Sequence, residues 1–178
     1  MKMKSIALAS MLALGVAGAQ ADTTVNWGVH DTVEIGVNLV FGDFTDHWTF
    51  EISPSDYWVS STAVANNLGG GAVLNISGGQ YSLWSAGGDG AVGGGDDSQL
   101  GGGWSFDGMT GDVTNTVLLS PGKYYYMVTG TGSGGYSGGG MYSLTSTIMP
   151  VPEAETWAMM LAGLGVIGFL GARRRRDD

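Results

Sequence analysis

From residue 69 to residue 140 the chain holds 24 glycines, one residue in three. No helical stripe runs through it, and each interior glycine costs a strand about 0.5–1 kcal/mol relative to alanine. A collagen-like chain is excluded as well, since no strict period of three appears. What remains is alternation of apolar and polar residues, the period of a half-buried strand. Val33, Ile35, Val37 and Leu39 are separated by Glu34, Gly36 and Asn38. Phe44, Asp46, Trp48 and Phe50 alternate with Thr45, His47 and Thr49. Leu74 and Ile76 flank Asn75, while Tyr142, Leu144 and Ile148 share one parity. Tyr124, Tyr126 and Val128 follow the turn signal Ser120-Pro121-Gly122. No stretch between the two termini shows a 3.6-residue stripe, and no repeat of fixed length is present. Short strands punctuated by Gly, Asn, Asp and Ser predict an all-β domain, an antiparallel β-sandwich of jelly-roll type. The stretch 87–103 is expected to be a Gly-rich loop, packed down by Trp84, Trp104 and Phe106 at its borders.

Charge is segregated along the chain. Between Asp22 and Pro150 stand twelve acids and one base, Lys123, a net charge of -11 for that stretch. Such a surface does not suit nucleic acid, whose phosphates need Lys and Arg to neutralise them. The absence of cysteine removes disulfides, thiol nucleophiles and cysteine metal sites together. The other bases lie at the two ends, where membrane sorting signals are read. Lys2 and Lys4 precede an apolar run from Ile6 to Ala17, and Ala19-Gln20-Ala21 supplies a small-x-small pattern. Residues 1–21 therefore read as a signal peptide that signal peptidase removes before Asp22. At the other end, residues 157–172 form an uncharged apolar segment bracketed by Trp157 and by Arg173, Arg174, Arg175 and Arg176. Sixteen helical residues cover about 24 Å, a short transmembrane helix for a hydrocarbon core of about 30 Å. Trp157 is suited to one interface and the arginines to the other, and the positive-inside rule places the C-terminus in the cytoplasm. The expected organisation is a signal peptide at 1–21, an exported β-sandwich domain at 22–150 and a sorting tail at 151–178.

The tail begins Val151-Pro152-Glu153-Ala154, passes through Trp157 and the apolar segment, and ends in the Arg run. It resembles the PEP-CTERM sorting tail of Gram-negative bacteria, also labelled an ice-binding protein C-terminal domain. Ala154 stands where that signature at 152–154 has a second proline. The resemblance implies an exosortase, a membrane processing enzyme that recognises the tail and cuts near Pro152-Glu153, with this chain as its substrate. Two further stretches are similar to the FxDxF group of PEP-CTERM proteins. The first is Phe44-Thr45-Asp46-His47-Trp48-Thr49-Phe50, with Trp48 where the pattern prefers Phe. The second is Gly122-Lys123-Tyr124 followed by Val128 to Thr131 and Gly138 to Tyr142. That group implies a β-sandwich without a known reaction, in which Phe44, Asp46, Trp48 and Phe50 are structural.

Little in the exported domain points to catalysis. The two histidines, His30 and His47, belong to no H-E-x-x-H motif, and neither a G-x-S-x-G elbow nor a Walker loop is present. No cofactor is required by any motif. Ca²⁺ is the one candidate: Asp89, Asp96 and Asp97 in the run Gly87 to Ser98 offer hard oxygen donors on pliant backbone. Their spacing is irregular, so a solvated acidic loop is the competing reading. Asp43, Asp46 and Glu51 form a second acidic group, in which Asp46 shares the parity of the aromatics and needs hydrogen-bond partners there. Near a strand end, a turn or backbone N–H groups would supply them. Trp58, Trp84, Trp104 and Tyr125 offer flat faces for sugar rings, with ordinary core and rim packing as the alternative. The sequence thus predicts a non-enzymatic protein, exported across the inner membrane to the envelope or extracellular matrix and associated there with polysaccharide. A carbohydrate- or Ca²⁺-binding surface module is the alternative.

Overall fold

The structure, a computed structural model, describes residues 22–70, 72–109, 111, 113–135, 138–151 and 158–167. The signal-peptide reading of residues 1–21, with Ala19 and Ala21, lies outside them. So do Pro152, Glu153, Ala154, Trp157 and Arg173 to Arg176.

The described domain is β throughout. Its strands are β1 (Thr23–Val29), β2 (Val33–Ile52), β3 (Tyr57–Ala65), β4 (Ile76–Ser85), β5 (Ser98–Ser105), β6 (Asn115–Leu119), β7 (Gly122–Gly132) and β8 (Gly139–Pro150). They run in the order β5-β4-β7-β2-β8-β3-β6, with β1 added beside β2. All pairings are antiparallel except β1 with β2, which is parallel.

The 20-residue β2 makes this one path into two layers. Its first half, Val33 to Phe41, pairs with β8, and its second half, Gly42 to Ile52, pairs with β7. The sheet folds over at that change of partner. One layer is β5-β4-β7-β2-β1 and the other is β2-β8-β3-β6. Ladder registers bring the start of β2, the β2–β3 turn, the β6–β7 turn and the end of β8 to one end of the sandwich: Val33 faces Thr147, Ile52 faces Gly122, and Tyr57 faces both Leu119 and Pro150. The parallel pairing follows. β1 descends beside the second half of β2, and the chain then crosses to the other layer before β2 begins.

Even-numbered positions of β2 point inward on either side of Gly42, which is exposed. Phe44, Trp48, Phe50 and Ile52 join Tyr126 and Val128 of β7, Tyr142 and Leu144 of β8, and Val59 of β3 in one core. The Phe44 and Tyr142 rings stack at 5.6 Å across the layers. In the first half of β2 the same parity has an unexpected result. Gly36 is inward, while Val33, Ile35 and Val37 are outward and 48%, 60% and 55% exposed. The Trp48 ring fills the space instead: a Cβ on Gly36 would lie 2.8 Å from it, closer than real contacts allow. The expected Gly-rich loop is shorter than its glycines suggest, because β5 occupies Ser98 to Ser105 and the connection from β4 ends at Asp97.

Candidate functional site

The connection between β4 and β5 places three carboxylates together. Ligand oxygens of Asp89, Asp96 and Asp97 all lie within 4.8 Å of one another. Like charges this close need donors, and the glycine backbone supplies them. The Gly88 N–H donates to Asp96 Oδ2 at 2.5 Å, Ala91 N–H to Asp89 Oδ1 at 2.8 Å, and Gly93 N–H to Asp97 Oδ2 at 2.7 Å. Gly87 has φ +57°, and any Cβ there would overlap the Asp96 carboxylate, so the backbone can curl around that group only as glycine. The loop lies against the outer face of the first layer. Tyr125 O–H donates to Asp97 Oδ2 at 2.8 Å, and Tyr125 is only 4% exposed. Burial, and then the hydrogen bond and charge of Asp97, push its hydroxyl up to about 12. Asp97 Oδ1 is buried and has no hydrogen-bond partner. The set offers hard anionic oxygens, the chemistry that Ca²⁺ takes.

Beside the loop is an open groove of about 350 Å³, lined by Asn26, Thr49, Glu51, Val92, Lys123 and Tyr124. It holds the one basic residue of the stretch 22–150. Of the four aromatics expected as sugar platforms, Trp58 is open to solvent, at 41% exposure. Trp84 stacks on Tyr125 with rings 7° apart, and Trp104 packs on Tyr81 at 5.1 Å. Tyr125 has the opposite parity to Tyr124 and Tyr126 and points to the outer face, where the acidic loop covers it.

The aromatic motif of β2 serves the core. Phe44, Asp46, Trp48 and Phe50 are 5%, 1%, 6% and 3% exposed. Asp46 lies within β2, not at a strand end, and its partners are side chains instead of backbone. Its Oδ2 accepts from Tyr142 O–H at 2.6 Å and from Asn38 Nδ2 at 2.8 Å. Tyr142 in turn accepts from Trp48 Nε1 at 2.9 Å. Burial, reinforced by Asp46, holds the Tyr142 hydroxyl far above the ordinary tyrosine range. The group Asp43, Asp46 and Glu51 is not brought together: Asp43 is exposed and accepts from Thr131, and Glu51 lies in the groove.

A second buried network had no signal in the sequence. His30 Nε2 is 2.8 Å from Ser146 Oγ, 116 positions away, and its Nδ1 is 2.5 Å from the Asp31 carbonyl. Ser146 Oγ also lies 2.9 Å from Tyr126 O–H. A hydroxyl beside an oriented imidazole is the pairing of an activated nucleophile. Here Ser146 has no exposed surface, so the group joins the β1–β2 turn to β7 and β8 inside the core.

At the other end, residues 158–167 are helical, uncharged and exposed at every position. Among the described residues no helix is long and apolar enough to cross a membrane. The expected span, 157–172, extends beyond both ends of the described helix. Asp22, the expected first residue after cleavage, is exposed ahead of β1.

Solved structures match the chain at low identity and low TM-score. It resembles the pre-peptidase C-terminal domain of collagenase from Bacillus anthracis with a TM-score of 0.41 and 15% identity, over 73% of this chain and 100% of that one. It resembles PliG, a periplasmic inhibitor of g-type lysozyme, from Aeromonas hydrophila (TM-score 0.40, 16% identity) and Salmonella Typhimurium (0.37, 14%), each over 72% of this chain and 100% of the other. No curated protein matches the chain. The family model of the PEP-CTERM protein-sorting motif matches residues 150–176, which begin on the last residue of β8. The chain thus carries a PEP-CTERM protein-sorting motif, which implies an exported, envelope-directed protein processed by an exosortase-type membrane enzyme.

Proposed function

We propose that the chain is a non-enzymatic component of the cell envelope or extracellular matrix, of the FxDxF type. In this reading residues 1–21 direct export, and residues 157–172 hold the chain in the inner membrane with a cytoplasmic C-terminus. The exosortase then removes the tail near Pro152-Glu153. The observation that carries the reading is the sorting motif itself, continuous with the last strand of a folded β domain. The described helix supports the span: an uncharged helix exposed on every side lacks protein cover for its apolar residues, and lipid provides it. The acidic domain suits a hydrated polysaccharide matrix, in which net repulsion keeps it soluble. Intact mass and terminal peptides of the protein from its native host test the reading. A start at Asp22 and an end near Pro152 are expected. A C-terminus still at Asp178 would make the tail a permanent anchor and end the exosortase reading.

A second reading, a Ca²⁺-binding surface module, draws on the convergence of Asp89, Asp96 and Asp97 and the partnerless Asp97 Oδ1. A cation that binds only the native state raises the melting temperature. On this reading Ca²⁺ raises the melt of the wild type and not that of Asp96→Asn. Binding of polysaccharide belongs to the same class, with the groove beside Lys123 and exposed Trp58 as its supports. Pull-downs with host exopolysaccharide that recover no protein would remove it.

A further inference from the structure

The outer face of the β2-β8-β3-β6 layer stands apart from the rest of this acidic domain. Ladder register places Val33, Ile35 and Val37 of β2 beside Thr147, Thr145 and Ser143 of β8. The latter pair with Ser60, Thr62 and Val64 of β3. The row at the end of the sandwich is Met149, Trp58 and Leu118. No residue in these rows is charged, and Trp58, Leu118 and Met149 are 41%, 45% and 52% exposed. The carboxylates of Asp89, Asp96 and Asp97 belong to the other layer's side, where their loop covers Tyr125.

We propose that this face rests on the membrane surface while the sorting tail is in the bilayer, its occupant being the interfacial region of uncharged phospholipid. The inference depends on the membrane-span reading of residues 157–172. Three observations support it. The tail leaves from this layer, because β8 ends at Pro150 in register with Tyr57, next to the Met149–Trp58 pair. Only seven residues, 151–157, separate β8 from the described helix, so the domain is held within about 29 Å of the helix start even if they are fully extended. At that range a weak contact acts at high effective concentration. The face also has interfacial chemistry: a tryptophan and aliphatic side chains to enter the headgroup boundary, and rows of hydroxyls to meet headgroups. Asp31 and Asp56 are exposed in turns at its rim, so zwitterionic lipid is favoured over anionic lipid.

The chain has no cysteine, so a single introduced thiol reports one position. Full-length Leu118→Cys, and Ser105→Cys on the edge strand β5 of the other layer, are spin-labelled and reconstituted in phosphatidylcholine vesicles. Oxygen reports lipid exposure and a water-soluble nickel chelate reports solvent. The expected result is a several-fold higher ratio of oxygen to nickel collisions at position 118 than at 105, reproduced with Val33→Cys should the Leu118 variant not fold. Equal ratios in protein that resists an alkaline wash would overturn the docked face and leave the span standing. Protein released by the wash would overturn the span, and the docked face with it. Shielding of position 118 from both reagents, increasing with protein density in the vesicle, would assign the face to a second copy of the chain instead.

Discussion

Asp46 concentrates the main tension of this core at one residue. Its Oδ2 has two donors, whereas the buried Oδ1 has none. Tyr142 is the key partner, because its hydroxyl serves both Asp46 and the indole N–H of Trp48. Tyr142→Phe deletes one oxygen yet strands a buried donor and half the support of a carboxylate. A buried unsatisfied group costs about 1–3 kcal/mol, and bonds to charged groups are the stronger ones. A loss of about 3 kcal/mol is expected in urea unfolding, with the denaturant slope unchanged. His30 gives the residue scale a pH dependence. Burial lowers its pKa from 6.5, opposed by the Asp31 carbonyl and by the charges of Glu34 and Asp31. The unfolded chain therefore takes up the proton first. The contribution is full above pH 6.5 and is lost as pH falls through the folded-state pKa. His47 is lowered in the same direction by its own burial. Melting temperatures measured from about pH 7.5 down to about pH 5 should fall, and His30→Gln should flatten that slope whatever it does to the melting temperature at neutral pH.

At the scale of strands and loops, parity identified the two faces of each strand but did not decide which face went in. For the second half of β2 and for β7 the aromatic face was inward, as alternation suggested. For the first half of β2 the more apolar set is outside, because the Trp48 indole occupies the volume opposite Gly36. Periodicity counts hydrophobic positions and is blind to a bulky ring arriving from farther along the same strand. Gly36→Val tests this: overpacking against a ring that is itself hydrogen-bonded should cost about 1–3 kcal/mol, read by chemical denaturation. The acidic loop shows a second limit. The grouping of Asp89, Asp96 and Asp97 was legible from their nearness in sequence, but the cover they give Tyr125 depends on a loop conformation without any period. Nor could spacing reveal the His30–Ser146 contact, which only the folding-over of β2 creates. In Asp97→Asn the Tyr125 hydroxyl loses its anionic partner while remaining buried. Its ionisation should move partway from about 12 toward 10, seen in ultraviolet titration as the difference from Tyr125→Phe.

For the whole molecule, address and architecture meet at β8. The sorting motif opens on a residue still paired in the sheet, so the expected cleavage near Pro152-Glu153 lies two or three residues from folded structure. A protease needs an extended segment in its cleft, and the sheet end restricts approach. A short Gly-Ser insertion after Val151 should therefore speed tail removal in a pulse-chase, while an unchanged rate would show that the domain does not stand in the way. The position of β8 has one further consequence. The last strand among the described residues is an interior strand in space, seated between β2 and β3. Until residue 150 has crossed the membrane the sandwich has an empty slot, and β2 and β3 present unpaired edges to any passing strand. For a chain exported unfolded, filling the slot would convert it into a folded body too wide for a channel that passes an extended chain. For such a chain, closure of the domain would act as a ratchet, set at the moment when the tail arrives to be read.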